Sequence, residues 1–166
     1  TEASFRNVNS VWTELIRRSV ITDNGLEFPD NRRTSYEDAL FNVGVFACAR
    51  KAVLLPEVLY HHLLHGDNAF SRYDYKSPEH ILSYIECLEA LLTRFSLQEP
   101  LRESLRTGVV RRLYTSMHNE RHFKGMGALP GFFRQLRCHA GLQRLLVGKP
   151  IAGLRLTQRL FVRLCR

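Results

Sequence analysis

The feature that most constrains this chain is an almost wholly apolar stretch, residues 39–49, in which Asn42 is the one clearly polar side chain. The stretch predicts a helix that is apolar on every side, and such a helix has to be buried over most of its surface. The rest of the chain must therefore pack around it. With 166 residues, of which 45% are hydrophobic, the chain is large enough to do so within one domain or one large part of a domain.

Two acidic residues, Glu37 and Asp38, stand immediately before this stretch and after a polar loop. Thr34 and Glu37 match the capping-box pattern, which predicts that Thr34 caps the helix and that Glu37 occupies its third position. An acid pair at this place has two interpretations. Both carboxylates can cap the helix and interact with its dipole, for about 0.5–2 kcal/mol. Alternatively, one of them can serve as a catalytic base.

Apolar spacing and turn signals predict the remaining elements. The prediction places a short helix over residues 8–18, strands over 53–55 and 58–62, a helix from Ser77-Pro78 to residue 95, and another over 101–117. Two amphipathic segments, 132–147 and 151–166, follow a break near residue 128. The expected fold class is α/β but mainly helical, with an α/β part over residues 1–76 and a helical part over 77–166.

Several short motifs follow one another over residues 8–72. In chain order they are Trp12, Leu15, Arg17 and Arg18; Phe28-Pro29; Glu37-Asp38 with Phe41; Leu59-Tyr60; and His61, His62, His65 and Ser71. In this order and spacing they resemble the second half of the catalytic domain of family 2 glycosyltransferases, which have the GT-A fold. The resemblance implies that short strands belong to that domain and that a helical extension follows it.

The resemblance also implies a function, which is transfer of a sugar from a nucleotide sugar to a glycan or lipid-linked glycan acceptor. The expected role of this chain is in the synthesis of a bacterial surface polysaccharide or lipooligosaccharide. The reaction needs a base that takes the proton of the acceptor hydroxyl, and by resemblance that base is Asp38. At a helix N-terminus its carboxylate is expected to stay ionised. Glu37 would brace the loop or touch the acceptor.

Four further side chains take roles only through the resemblance. Trp12 would stack on the acceptor sugar, and His61, His62 or His65 would reach the diphosphate, with His62 as a candidate ligand of a divalent Mg²⁺ or Mn²⁺ ion. The structural alternatives are a core tryptophan and surface histidines. On a strand, His61 and His62 would face opposite sides, so that at most one of them would point into a site.

The chain departs from the family pattern in two ways. Glu14 stands where the family has Lys, and the nucleotide-binding half with its Asp-x-Asp motif has no counterpart in this sequence. We therefore expect further chain upstream of Thr1, as the missing initiator Met also suggests, and no turnover of nucleotide sugar by this chain alone.

Positive charge is concentrated near the C-terminus, where residues 101–166 carry 14 Lys and Arg against two acidic residues. The arginines are interleaved with large apolar residues, which is typical of an element that lies on an anionic membrane surface. The alternative is that the apolar faces dock on the domain and leave the arginines in water. The arginines concerned are Arg134, Arg137, Arg144, Arg155, Arg159 and Arg163.

A rival function is that of a non-catalytic helical interaction module, whose basic C-terminal face binds nucleic acid or an acidic partner. Nucleic acid is not the expected partner, since the sequence shows no helix-turn-helix or zinc pattern. No apolar run approaches the roughly 18 residues of a membrane span, no secretory leader is present, and the four cysteines form no CxxC pair. These features favour a cytoplasmic protein, at most peripheral at the inner face of the membrane.

Overall fold

The apolar stretch lies in a helix, α2, that packs between two hydrophobic clusters. The structure is a computed structural model and describes residues 10–61, 63, 77–96, 99–147, 151 and 153–165. In this part of the chain the α-helices are α1 Arg18–Thr22, α2 Glu37–Cys48, α3 Pro78–Arg94, α4 Glu99–Lys124, α5 Leu129–Cys138, α6 Ala140–Leu146 and α7 Leu156–Cys165. The protein is mainly helical, as expected.

Helix α2 is apolar on every side because it contributes side chains to both clusters. Ala39 and Leu40 belong to the larger cluster, which is built mainly from α3, α4 and the three C-terminal helices. Phe41 and Val45 belong to a smaller cluster, which α2 forms with Leu26 and the N-terminal segment. The burial predicted for residues 39–49 is confirmed over residues 39–45, where only Val43 is half-buried, whereas Phe46 is 40% exposed and residues 47–49 are half-buried.

Helix α3 begins as its sequence predicts. The side chain of Ser77 accepts a hydrogen bond from the backbone N–H of His80, with Pro78 at the first helical position. Helix α4 is longer than predicted and continues to Lys124. It ends at Gly125, whose φ of 81° lies in the region that favours glycine, so the break comes slightly before the predicted one.

The helix predicted over residues 8–18 is wrong. The described part of that segment forms a 3₁₀ turn, Val11–Thr13, and an extended stretch before α1. So short a helix is marginal by itself. Val11 and Ile16 instead pack against the smaller cluster, so contact with α2 decides the conformation.

The predicted strands are also absent from the residues that can be described. Residues 53–55 and 58–61 have neither helical nor strand structure, and every one of them is exposed. A strand needs a neighbour that takes up its N–H and C=O groups, and no described segment pairs with this one. Residue 62 lies outside the described residues.

The basic C-terminal segments are part of the core. Three helices form here, because His139 interrupts the predicted segment 132–147 between α5 and α6. Their apolar faces belong to the larger cluster through Phe132, Leu136, Leu142 and Phe161. The six arginines named above are exposed, as the docking alternative predicts.

Among the helices that the structure describes, none has the length and apolar composition needed to cross a bilayer. The cysteines are free thiols. Burial raises the pKa of the Cys165 thiol to about 12, so this residue behaves as a small core side chain rather than as a nucleophile.

Candidate functional site

The acid pair occupies the first turn of α2. The helix begins at Glu37, and its N-cap is Tyr36, which makes no side-chain capping hydrogen bond. The capping box predicted from Thr34 and Glu37 is therefore wrong. Sequence reasoning placed the helix start too early because it could not see how the preceding loop is held.

That loop is fixed by backbone hydrogen bonds on both sides of Thr34. The N–H groups of Arg33 and Thr34 donate to the carbonyl of Asp30, at 3.0 and 3.1 Å. The N–H of Ser35 donates to the carbonyl of His80 on α3, at 3.4 Å. Thr34 and Ser35 are both buried by this docking, so the chain can turn into a helix only after them.

Tyr36, directly before the acids, adopts a left-handed backbone conformation, with φ 57° and ψ 39°. For a bulky residue this conformation is uncommon and costs about 1–3 kcal/mol. The Arg112 guanidinium lies 4.5 Å from the Tyr36 ring centroid and 5.0 Å from that of Tyr84. Tyr84 also contacts Tyr36 edge to face, with centroids 5.8 Å apart. These contacts from α3 and α4 hold Tyr36 in place.

Sequence reasoning missed Arg112. It lies in α4, more than 70 residues from the acid pair, and no motif surrounds it. Only the packing of α4 beside α3 brings it to Tyr36.

The Asp38 carboxyl is half-buried, and its pKa is raised above the ordinary value of 3.8. The main cause is burial, which disfavours the charged form, and the neighbouring Glu37 carboxylate adds to it. The direction of this shift is opposite to the effect of a helix N-terminus, which favours the ionised carboxylate. A carboxylate whose pKa moves towards neutrality is a better proton acceptor than an ordinary aspartate.

Glu14 supplies a third carboxylate to the same region. Its Oε1 accepts a hydrogen bond of 2.8 Å from Nδ2 of Asn42, which is one helical turn beyond Asp38 on α2. Burial raises the pKa of Glu14, the hydrogen bond from Asn42 lowers it, and the Asp38 carboxylate raises it again. Glu14 is thus part of an acidic group at the start of α2.

Glu14→Gln is expected to raise the free energy of unfolding at pH 7 by about 0.5 kcal/mol, a small gain because Glu14 is partly exposed and its charge is screened. The folded state raises the pKa of Glu14 above 4.5, so the folded chain binds this proton more tightly than the unfolded chain does. Stability of the wild type therefore falls as the pH rises from the ordinary pKa to the raised one. Gln does not titrate, but it can still accept the hydrogen bond from Asn42.

Urea unfolding of both proteins measures this effect. The gain should be present at pH 7 and vanish below about pH 4, where Glu14 is protonated in both states. Glu57→Gln, at an exposed position in the irregular segment, is the control and should change nothing. Equal stability of wild type and Glu14→Gln at both pH values would contradict a raised pKa of Glu14 in the folded protein.

Two of the motifs that carry the family resemblance are in contact. The Phe28 ring stacks on the Phe41 ring, with centroids 4.0 Å apart and an interplanar angle of 5°. Pro29 and Phe41 also line a cavity of about 240 Å³ between the loop, α2 and α3. The loop that ends in Phe-Pro therefore lies against the helix that carries the acid pair.

The other predicted site residues lie in the N-terminal 3₁₀ turn, in the irregular segment or outside the described residues. Trp12 lies in the N-terminal 3₁₀ turn and is 42% exposed, and its stacking role stays a prediction. His61 is exposed at the end of the irregular segment and does not lie on a strand, so its side chain does not follow the alternation of strand faces. His62 and His65 lie outside the described residues. Within the described ranges, no group of three or more His, Cys, Asp or Glu side chains could hold a metal ion.

The predicted membrane-surface arginines have different surroundings. Arg144 pairs with Glu89 at 2.8 Å, which raises the pKa of its guanidinium, and so it belongs to the contact between α6 and α3. Arg137 and Arg159 donate to the carbonyls of Leu164 and Leu154. All six side chains nevertheless remain exposed, Arg134, Arg155 and Arg163 among them.

Comparisons of the chain with protein-family models, with curated proteins and with solved structures gave no match.

Proposed function

We propose that this chain is the acceptor-side part of a family 2 glycosyltransferase and that Asp38 is its catalytic base. One observation carries the proposal most directly. A half-buried carboxylate with a raised pKa follows a strained residue at the start of a buried helix. Strained backbone and shifted carboxyl pKa values are found preferentially at functional sites.

In the proposed reaction Asp38 accepts the proton of an acceptor hydroxyl. The hydroxyl oxygen forms a bond to the anomeric carbon of the donor sugar, and the bond from that carbon to the diphosphate breaks. The nucleoside diphosphate leaves with the electron pair. Glu37 raises the proton affinity of Asp38, and Arg112 positions the acids indirectly by holding the Tyr36 ring.

The irregular segment before residue 62 gives separate support. Val53 is 71% exposed, Leu54 69%, Val58 75% and Leu59 70%. Adjacent residues of a strand point to opposite faces, so apolar neighbours such as these suit a strand covered on both faces. We propose that the two predicted strands, 53–55 and 58–62, form on either side of Pro56 when they pair with a sheet of the donor-binding half, which would give the GT-A fold.

The nucleotide sugar belongs to that donor-binding half in this proposal, as does a divalent Mg²⁺ or Mn²⁺ ion. The ion would supply positive charge to the leaving diphosphate. The described residues of this chain do not form a site that fits the ion.

A transfer assay tests the proposal. A protein in which this chain follows an Asp-x-Asp-bearing half is incubated with a panel of nucleotide sugars and with lipooligosaccharide acceptors. We expect release of nucleoside diphosphate from one donor, dependent on the acceptor. If no such half precedes the chain in its gene and no donor is consumed, a non-catalytic interaction module is the better description.

A further inference from the structure

An open cleft of about 670 Å³ lies along one side of α5. Its apolar wall is formed by Met126, Leu129, Pro130 and Phe133, and its lining also includes Arg134, Arg137 and Cys138. Apolar surface next to exposed guanidinium groups suits a partner that is both anionic and apolar.

Helix α7 borders this cleft. The ring of Phe161 on α7 lies 5.9 Å from that of Phe133, between centroids. Nε of Arg137 donates to the carbonyl of Leu164, at 3.0 Å. Leu160 and Leu164, one turn apart, are 50% and 51% exposed. These leucines, together with the exposed Arg163, extend the cleft into a larger surface, here called the α5–α7 surface.

All formal charges of residues 121–166 are positive, although carboxylates of α3 contact Gln135, His139 and Arg144. Residues 121–166 contain ten Lys and Arg and no Asp or Glu. No acidic side chain from this segment can therefore offset the arginines of the α5–α7 surface, and the surface attracts anions.

We propose that the α5–α7 surface docks on an anionic phospholipid bilayer. Arg134, Arg137 and Arg163 would lie among lipid phosphates, while Leu160, Leu164 and the apolar wall of the cleft meet the upper acyl region. Nucleic acid is the less favoured partner, because it would leave the exposed leucines facing a charged backbone. The inference does not depend on the proposed sugar transfer.

The packing of α5 and α7 in the larger cluster limits how the α5–α7 surface can contact a membrane. The apolar faces of α5 and α7 are used inside the protein through Phe132, Leu136 and Phe161. Neither helix can lie in the interface with its main apolar face in lipid, so binding is peripheral and depends on salt. For the same reason, deleting residues 128–166 would remove core side chains and could not isolate the membrane contact. Point variants on the outer surface are needed.

Vesicle co-sedimentation tests the proposal at low salt, with phosphatidylcholine vesicles and with equimolar phosphatidylglycerol–phosphatidylcholine vesicles. The chain should bind only the second kind. Arg134→Gln with Arg163→Gln should weaken that binding by about 30-fold, the effect expected for two basic residues near an anionic surface. Leu160→Ser with Leu164→Ser should weaken it as well, without altering net charge.

The matched control is Arg32→Gln with Arg33→Gln, which removes the same charge from an exposed loop near α2. The control should bind almost as the wild type does, and each variant should remain folded at the temperature of the binding assay, as its thermal unfolding curve checks. An equal loss in the control would show that net charge alone attracts the chain and would overturn the docking surface. Failure to bind anionic vesicles, with binding to duplex DNA or RNA instead, would also overturn it.

Discussion

Asp38→Asn is expected to lower the rate of sugar transfer by about 10²–10⁴-fold, the usual contribution of a general base. The amide has nearly the same shape as the carboxylate but cannot accept the proton of the acceptor hydroxyl. Affinity for the nucleotide sugar should persist, because in the proposal the donor binds elsewhere. The measurement is the turnover number in the acceptor-dependent release of nucleoside diphosphate, with donor binding followed separately.

Loss of activity in this variant should not come from unfolding. Burial already disfavours the charged form of Asp38 in the folded protein, as its raised pKa shows. A neutral side chain is therefore tolerated at least as well as the carboxylate, and the thermal unfolding midpoint should not fall. An inactive but fully folded Asp38→Asn protein is the expected outcome, whereas near-normal turnover would exclude Asp38 as the base.

Glu37→Gln is the matched control, since it removes the adjacent carboxylate and leaves Asp38 in place. The Glu37 charge raises the pKa of Asp38, so the variant should lower that pKa. A base works only when deprotonated, and the acid limb of the pH–rate profile should therefore move to lower pH. If Glu37→Gln abolishes transfer and Asp38→Asn does not, Glu37 is the base and Asp38 is the neighbouring carboxylate.

Leu136→Ala is expected to lower the free energy of unfolding by about 2–5 kcal/mol, a large part of the stability of an ordinary domain. Leu136 lies on α5 within the basic C-terminal region, and its side chain is fully buried in the larger cluster. Truncation there leaves a cavity that the surrounding helices cannot fully close. Urea unfolding of the chain measures the change.

Leu164→Ala is the control because it makes the same chemical change in the same basic region at a half-exposed position. Leu164→Ala should lower the free energy of unfolding by less than about 1 kcal/mol, since much of the side chain is already in water. Similar costs for the two variants would mean that the C-terminal helices do not pack in the core as described.

The helices whose signals are local were predicted well. Ser77, Pro78 and the apolar spacing that follows them specify α3, because cap, first turn and buried face all lie in one continuous segment. The burial of α2 was also predictable, since a helix that is apolar on every side has few other solutions.

The predictions from the sequence were wrong where contact with a distant segment decides the conformation. Residues 11–16 pack on α2 instead of forming a regular helix, and the docking of Ser35 on α3 delays the start of α2 until Glu37. The segment around residues 53–61 has strand-like composition, yet a strand exists only when it is paired. Local propensity is weak compared with contacts of this kind.

The amino-acid sequence is sufficient to predict that α2 is buried, that an acid pair stands at its beginning and that positive charge lies near the C-terminus. Only the tertiary structure showed that Arg112 holds a strained Tyr36 beside the acids, that Glu14 joins them through Asn42, and that the basic helices pack into the core. Each of these features joins residues at least 25 positions apart. Which partners such residues meet depends on how the helices pack, and no local pattern in the chain records it.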